Sequence, residues 1–356
     1  MSAPDRDRIE AVLKTWTEPH LGTDLVSAGS LRNVGDGTVE LELGFPLGAY
    51  RDELAGAVEA HLAAAGIQAK ARVSSTILSH AVQRNLRPMP GVKNVIAVAS
   101  GKGGVGKSTV AVNLALALAA DGAKVGMLDA DIYGPSQPRM LGLSGRPSSK
   151  DGKHIEPLEA YGVKCMSIGF LVDAEQPMVW RGPMVTQALV QLIRDTVWGE
   201  LDYLIVDMPP GTGDIQLTLS QHVPVSGAVI VTTPQEIALL DARKGLRMFQ
   251  KVEVAILGVV ENMATHVCSH CGHEEHVFGE GGGESLAAQY GVPFLGSLPL
   301  ALSIREQADG GKPTVAAEPR GTIAARYRGI ARRAAAQLAL AGKGYAGAFP
   351  KIVIED

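Results

Sequence analysis

The chain has 356 residues, a formal charge of −4, 46% hydrophobic residues and three cysteines. This length is enough for one large α/β domain and a smaller one, and the acidic balance argues against a general nucleic-acid binder. No run reaches the about 18 apolar residues of a membrane span, and the polar N-terminus lacks the apolar core of a secretion signal. Three cysteines make no disulfide framework, so we expect a cytoplasmic protein. From the charge and the lack of an apolar span we expect it to bind no specific nucleic acid and no membrane.

The first part of the chain, over residues 5–75, has the pattern of a small α+β domain. Apolar residues at helical spacing open it, residues 38–43 alternate like a strand, and residues 50–65 predict a second helix. Two prolines and a glycine then interrupt both periodicities. We place the small domain over residues 1–86 and a linker over residues 87–94.

Beyond the linker, strand and helix patterns alternate almost to the C-terminus. The predicted strands cover residues 95–99, 124–129, 203–207, 228–232, 255–261 and 293–295. Helices are predicted over 107–120, which Gly122 closes, and over 322–340, whose alanine-rich stripe favours docking on the sheet over lying on a membrane. The alternation predicts a mostly parallel sheet covered by helices on both faces, over residues 95–342, and then a tail over 343–356.

A glycine-rich segment follows the first of these strands and matches the phosphate-loop pattern G-x-x-x-x-G-K-[ST]. Its residues are Gly101, Lys102, Gly103, Gly104, Val105, Gly106, Lys107, Ser108 and Thr109. Glycines let backbone N–H groups approach phosphate oxygens, and the next helix points its positive end at the same anion. We expect Lys107 to reach the β- and γ-phosphates and the Ser108 hydroxyl to ligate Mg²⁺. Because strand, loop and helix occur in this order, the segment predicts a P-loop NTPase rather than a chance glycine-rich turn.

Polar residues at the ends of other predicted strands complete this site. Asp207 can hold the magnesium shell, and the Gly- and Pro-rich loop 208–214 after it suits a switch that senses hydrolysis. Either Asp129 or Asp131 can orient the attacking water or position magnesium; we favour Asp131 for the water, with ordinary turn formation as the competing explanation for each. Asn262 offers a donor and an acceptor, which match the edge of adenine.

Cys268 and Cys271 form a C-x-x-C pair that can hold one metal centre from a tight turn. Two thiolates do not complete a four-ligand site, so further ligands must come from a second copy of the pair or from nearby histidines. These histidines are His266, His270, His273 and His276. Spacing alone leaves open a local Cys₂His₂ zinc knuckle and a site shared by two chains, and it disfavours a redox dithiol because the pair opens no helix. Cys165, in an apolar strand pattern, is predicted to be a buried packing residue.

Longer motifs identify the family that this chain resembles. Lys102 together with Lys107 resembles the deviant phosphate loop of the MinD/ParA-type dimeric ATPases. Within that class, residues 128–136 and 206–214 strongly resemble the Mrp/ApbC family of iron–sulfur cluster carrier proteins, and the similarity runs over residues 95–316.

The resemblance implies a homodimer that binds ATP and Mg²⁺, hydrolyses ATP slowly, and passes an iron–sulfur cluster of the [4Fe–4S] type to apo-protein acceptors, in contact with assembly factors. It implies that the cysteine pairs of two subunits bridge the cluster and that Lys102 reaches across to the partner's nucleotide. We expect the catalytic residues to be Lys102, Lys107, Asp131 and Asp207.

Residues 5–75 resemble the small iron–sulfur-assembly domain often fused ahead of this ATPase. Residues 44–50 lack a cysteine that some of these relatives carry, which argues against a ligand role for the small domain. Two other functions stay open at this point. One is a MinD/ParA-like spatial organiser that binds membrane or DNA through its basic C-terminal helix, and the other is a zinc-stabilised nucleotide-binding scaffold.

Overall fold

The computed structural model of the chain describes residues 6–83, 86–171, 182–268 and 270–346. These stretches belong to two compact units. The smaller unit runs up to Leu78 and resumes at Ala335, and the larger unit spans Ser79–Ala334.

The smaller unit combines helices with a three-stranded sheet. In chain order its elements are α1 (Arg6–Leu13), β1 (Thr17–Glu18), β2 (Thr23–Asp24), β3 (Leu31–Gly35), β4 (Thr38–Leu43), α2 (Tyr50–Ala64) and β5 (Lys70–Ser75). In the sheet β4 lies between β3, which is antiparallel to it, and β5, which is parallel. Every second residue of β4 is buried, and the buried residues of α2 recur at helical spacing, because both elements turn an apolar face to the same core. The strand over 38–43 and the helix over 50–65 are therefore confirmed.

The larger unit alternates strands and helices. Its strands are β6 (Val92–Ala99), β7 (Val125–Asp129), β8 (Leu158–Ala160), β9 (Val163–Ser167), β10 (Leu201–Asp207), β11 (Gly227–Thr232), β12 (Ile256–Val267), β13 (Glu274–Glu275) and β14 (Phe294–Leu300). Its helices are α3 (Lys107–Ala120), α4 (Gln137–Met140), α5 (Gly182–Asp195), α6 (Asp214–His222), α7 (Glu236–Lys251), α8 (Gly282–Tyr290), α9 (Leu302–Asp309), α10 (Thr314–Ala317) and the first part of α11 (Thr322–Ala346), whose residues from Ala335 onward belong to the smaller unit. Each strand predicted for this region corresponds to one of these.

The strands of the larger unit form one sheet in the order β8-β9-β7-β10-β6-β11-β12-β14, with β13 beside the end of β12. The short strands β8 and β13 are antiparallel to their neighbours, and the other pairings of this sheet are parallel. The carboxyl ends of the parallel strands therefore meet at one edge, which we call the carboxyl edge. This sheet confirms the predicted fold class.

The direction of the chain reverses near the middle of this sheet. The β6–α3–β7 connection runs toward one side of the sheet, and the β10–α6–β11 connection runs toward the other. Because parallel crossovers are right-handed, α3 lies on the opposite face from α6, α7 and α8. The reversal opens a crevice at the carboxyl edge beside β6 and β10, which is where ligands of such sheets bind.

Several elements extend beyond their predicted ends. Strand β6 begins at Val92, inside the predicted linker, and pairs there with Leu201 of β10. Helix α11 continues to Ala346, so the first residues of the predicted tail are helical, and residues 347–356 lie outside the described stretches. Among the helices that the structure describes, none combines the length and the apolar character that a membrane span needs.

Candidate nucleotide site and cysteine hairpin

The glycine-rich loop that joins β6 to α3 leaves the carboxyl edge at the crevice. At two positions of the loop, neighbouring atoms leave no room for a side chain, so only glycine fits. A Cβ on Gly101 would lie 2.1 Å from Asp241 O, because α7 packs directly on the start of the loop. Gly106 has a φ of +81°, and a Cβ there would lie 2.2 Å from Asn262 Nδ2. Contacts from α7 and β12 thus fix the course of the loop, and α3 begins with its positive end toward it.

The side chain of Lys107 contacts both predicted magnesium ligands, Ser108 and Asp207. Lys107 is the first residue of α3, and its side chain is only 5% exposed. Its ammonium forms a hydrogen-bonded ion pair with Asp207, donates to Ser108 Oγ at 3.2 Å, and lies 4.0 Å from a carboxylate oxygen of Asp131. The structure therefore brings together four residues that the sequence analysis assigned to one site.

Gln137, which the sequence analysis missed, lies beside this group. Its side chain is fully buried, and Nε2 donates to Asp207 Oδ2 at 2.8 Å and to Ser108 O at 3.1 Å. Its Oε1 is buried with no hydrogen-bond partner among the described residues. In the sequence, only its position directly after the family motif 128–136 indicates a role for Gln137 in the site.

Asp129 and Asp131 differ in what surrounds them. The Asp129 carboxylate accepts the backbone N–H groups of Ser136 and Gln137 at 2.9 and 3.0 Å, so it shapes the loop between β7 and α4. Burial, and then the charge of Asp207, raise the pKa of Asp129. Burial also raises the pKa of Asp131, whose side chain is 13% exposed and faces Lys107.

The loop 208–214 after β10 is tied to the phosphate loop. The Gly211 N–H donates to Ser100 O at 3.0 Å, directly before the phosphate loop begins. On the other side, a Cβ on Gly245 of α7 would lie 3.8 Å from Thr212 Cγ2. A displacement of the phosphate loop therefore reaches this loop directly, which suits the predicted switch.

Asn262 contacts the phosphate loop from β12. The residue is 6% exposed, and its Nδ2 donates to Val105 O at 2.9 Å. The amide thus supports the loop that we expect to hold the phosphates, while its contact with adenine stays a prediction.

β12 and β13 form an antiparallel hairpin with the cysteine pair at its tip. The Cys268 N–H donates to His273 O and the Gly272 N–H to Cys268 O, both at 2.9 Å. The backbone N–H groups of Cys271 and His270 hydrogen-bond to the Cys268 sulfur and lower the pKa of its thiol. Cys271 is exposed and Cys268 half-buried, so the turn presents two thiols, and the lowered pKa of Cys268 favours the thiolate form that binds metals.

Two of the four candidate histidines lie close to backbone carbonyl oxygens. His266 Nδ1 lies 3.3 Å from Leu300 O, and His276 Nδ1 lies 3.1 Å from Ala264 O. Within the described stretches, no three His, Cys, Asp or Glu side chains are arranged to share one metal ion. Cys165 is fully buried in β9, as its strand pattern predicts.

The chain from Gly91 to Ala335 matches the family model for ParA, the NUBPL iron-transfer P-loop NTPases. This chain belongs to that family. The resemblance to iron–sulfur cluster carriers that its motifs predict is therefore confirmed, together with the P-loop NTPase fold.

Several relatives in the ParA/NUBPL family are strongly similar to this chain. The iron–sulfur cluster carrier protein of Escherichia coli K12 is 51% identical over 341 residues, which cover 94% of this chain and 92% of that protein. The iron–sulfur cluster carrier protein of Pseudomonas fragi is 63% identical over 265 residues, 74% of this chain and 92% of that protein. The mouse iron–sulfur cluster transfer protein NUBPL is 56% identical over 247 residues, 69% of this chain and 77% of that protein.

Solved structures of nucleotide complexes share the fold of this family member. A nucleotide-binding protein of Archaeoglobus fulgidus in complex with ADP, in which cobalt was found, aligns with a TM-score of 0.56 at 41% identity, over 62% of this chain and 88% of that one. The septum site-determining protein MinD of Pyrococcus horikoshii, in complex with Mg-ADP, aligns with a TM-score of 0.51 at 25% identity, over 67% of this chain and 94% of that one.

Proposed function

We propose that this chain is an ATP-hydrolysing carrier that holds an iron–sulfur cluster between two copies of itself and transfers it to apo-protein acceptors in the cytoplasm. One observation carries the proposal: a phosphate loop with its lysine, hydroxyl and carboxylates, and a hairpin with two accessible thiols, both follow strands of one sheet at its carboxyl edge. The carrier and transfer proteins among the relatives support the same function for this chain.

The nucleotide is assigned to the phosphate loop and the start of α3. Backbone N–H groups would hold the phosphates, and Lys107 would contact the β- and γ-phosphates. The oxygens of Ser108 and Asp207 fit magnesium, because they are hard donors and because one cation, the Lys107 ammonium, already contacts both. When bound, magnesium would neutralise charge on the β- and γ-phosphates. Gln137 would keep the Asp207 carboxylate oriented toward that position.

Hydrolysis needs a water molecule aligned with the γ-phosphate. We assign Asp131 to orient this water, because the Asp129 carboxylate already accepts two backbone N–H groups of its loop. The water oxygen bonds to the γ-phosphorus, the bond to the bridging oxygen breaks, and ADP, phosphate and a proton leave. Lys102, exposed on the loop, is assigned to the nucleotide of the partner subunit.

The cysteine pair supplies half of a four-thiolate site, and a second copy of the chain would supply the other half. The cargo would then be a cluster of the [4Fe–4S] type, which takes four thiolates. Large apolar side chains at or beyond the carboxyl edge support a partner on this face. They are 40% to 64% exposed and comprise Tyr133, Ile237, Leu240, Val267, Val277 and Leu302.

Iron content after anaerobic reconstitution with ferrous iron and sulfide tests this proposal. We expect Cys268→Ala and Cys271→Ala each to lose the bound iron and the visible absorption of the cluster, because each removes two of the four thiolates in a dimer. Cys165→Ala, at the buried cysteine, serves as the matched control and keeps its iron. Undiminished iron in both pair variants contradicts the proposal, and zinc without cluster absorption in the unchanged chain does so as well.

A further inference from the structure

Strand β12 connects the phosphate loop to the cysteine pair. Near its middle Asn262 donates to Val105 O at 2.9 Å, and the strand ends one residue before Cys268. Cys268 is six positions after Asn262, which puts the two residues at most about 20 Å apart. One strand therefore joins the proposed ATP site to the proposed cluster site.

The contact with the phosphate loop is tight. A Cβ on Gly106 would lie 2.2 Å from Asn262 Nδ2 and 3.7 Å from Met263 Cε, so neighbouring side chains of β12 meet the loop at the same peptide. Because peptides are planar and trans, the Val105 carbonyl that Asn262 holds fixes the opposite direction of the Gly106 N–H. A movement of this loop peptide therefore acts on Asn262 and Met263 together.

The strand changes its conformation at this same place. Met263 is a non-glycine residue with a φ of +56°, in the left-handed region, and the pairing of β12 with β14 shifts register between Glu261 and Thr265. Such a conformation persists only where the surroundings hold it, and it is concentrated at switch regions. The bulge gives the strand a point at which its second half can turn relative to its first.

Both sides of the hairpin are anchored close to the bulge. On the return strand side, His276 Nδ1 lies 3.1 Å from Ala264 O. Beyond the hairpin, the Gly283 N–H at the start of α8 donates to Glu261 Oε2 at 2.5 Å. The segment that carries the thiols is thus attached to β12 on each side of Asn262 and Met263.

We propose that Asn262 and Met263 are positioning residues through which the nucleotide state of the phosphate loop sets the orientation of the cysteine hairpin. The inference rests on the proposed carrier function and specifies its regulation. When ATP binds, the phosphate loop would close on its phosphates and shift the Val105–Gly106 peptide. The bulge would convert this shift into a rotation of the hairpin. The thiols of two subunits would then hold the cluster with different strength in the ATP and nucleotide-free states.

The rate of iron loss from the reconstituted full-length protein to a coloured ferrous chelator tests the inference, with and without Mg-ATP. We expect ATP to change this rate by at least about fivefold in the unchanged chain, the lower end of ordinary couplings between sites. In Met263→Gly the change falls below about twofold, since glycine removes the side chain beside Gly106 and lets the bulge adopt many conformations. Its iron content stays as in the unchanged chain, because both thiols of the pair are left in place.

Glu253→Gly is the matched control, because Glu253 is another non-glycine residue with a left-handed φ, +58°, in the turn before β12. It keeps the full ATP effect. The iron-free chain gives a second readout: ATP alters the alkylation rate of Cys268 in the unchanged chain and in Glu253→Gly, but not in Met263→Gly.

Retention of the ATP effect in Met263→Gly overturns the inference, and so does an unchanged chain that binds iron and hydrolyses ATP with no ATP effect in either readout. Failure of the unchanged chain to bind iron instead overturns the carrier function. The alkylation readout still decides the link between loop and hairpin in that case.

Discussion

At the scale of single residues, the nucleotide site consists of buried polar groups that satisfy one another. Asp207 is fully buried, and its two oxygens receive the Lys107 ammonium and the Gln137 amide. A buried charge is stable only when such partners are present, so loss of one partner leaves the cost of burial without its compensation.

Gln137→Leu tests this dependence on a side chain of similar size. The Asp207 Oδ2 atom loses a donor in a buried environment, so we expect the free energy of unfolding to fall by about 1–3 kcal/mol. ATP hydrolysis slows by at least about tenfold, as is usual when a hydrogen-bond partner of a metal-binding carboxylate, here Asp207, is removed. Urea unfolding and phosphate release measure the two effects.

The control for this variant is Gln216→Leu in α6. Gln216 is 2% exposed, and neither of its side-chain polar atoms has a hydrogen-bond partner among the described residues. We expect hydrolysis to stay unchanged and stability to stay equal or rise, because an unpaired buried amide is removed. Equal losses in both variants would contradict a specific role for Gln137.

At the scale of elements, the C-terminal helix is fixed to the helix that follows the phosphate loop. Arg332 of α11 donates through Nε and Nη2 to both oxygens of Asp121, at 2.6 and 2.8 Å. Their side chains are 11% and 4% exposed. A bidentate pair at this depth holds the helices in one register, since both charges are largely removed from water.

Arg332→Met keeps the apolar stem of the side chain and removes the charge. We expect a loss of about 3–5 kcal/mol in the free energy of unfolding, because Asp121 is left buried and unpaired. Arg305→Met in α9 is the control: its pair with Asp309 is exposed and contributes about 0–1 kcal/mol. Similar losses in chemical unfolding would show that burial does not set the strength of the Arg332 pair.

The elements also differ in how far their sequence predicts them. β6 and β11 are buried on both faces, so their apolar runs are continuous and their presence is evident. The second half of β12 contains Asn262, Thr265 and His266, and this polar pattern gave no strand signal beyond residue 261. Pairing with β13 and β14 makes it a strand all the same, since backbone hydrogen bonds need no apolar side chain.

At the scale of the whole molecule, the carboxyl edge concentrates exposed apolar side chains beside both proposed sites. Ile237→Asp, just after β11, is expected to weaken the proposed dimer by at least about tenfold in Kd, because a charge within an interface must be desolvated. Val197→Asp is the control, since Val197 is also exposed but precedes β10 and so lies at the opposite edge. Sedimentation with and without Mg-ATP measures both, and an equal effect would contradict a dimer face at the carboxyl edge.

Sequence alone predicts the local parts of this protein: the phosphate loop, the α/β alternation and the C-x-x-C pair. In each of them, the types and spacing of neighbouring residues determine the backbone conformation. The contacts of Gln137 with Asp207 and of Asn262 with Val105 become visible only in the folded chain, since the partners are 70 and 157 positions apart in the sequence. Such contacts depend on the order of strands in the sheet, which brings distant strand ends to one edge, and no local pattern contains that order.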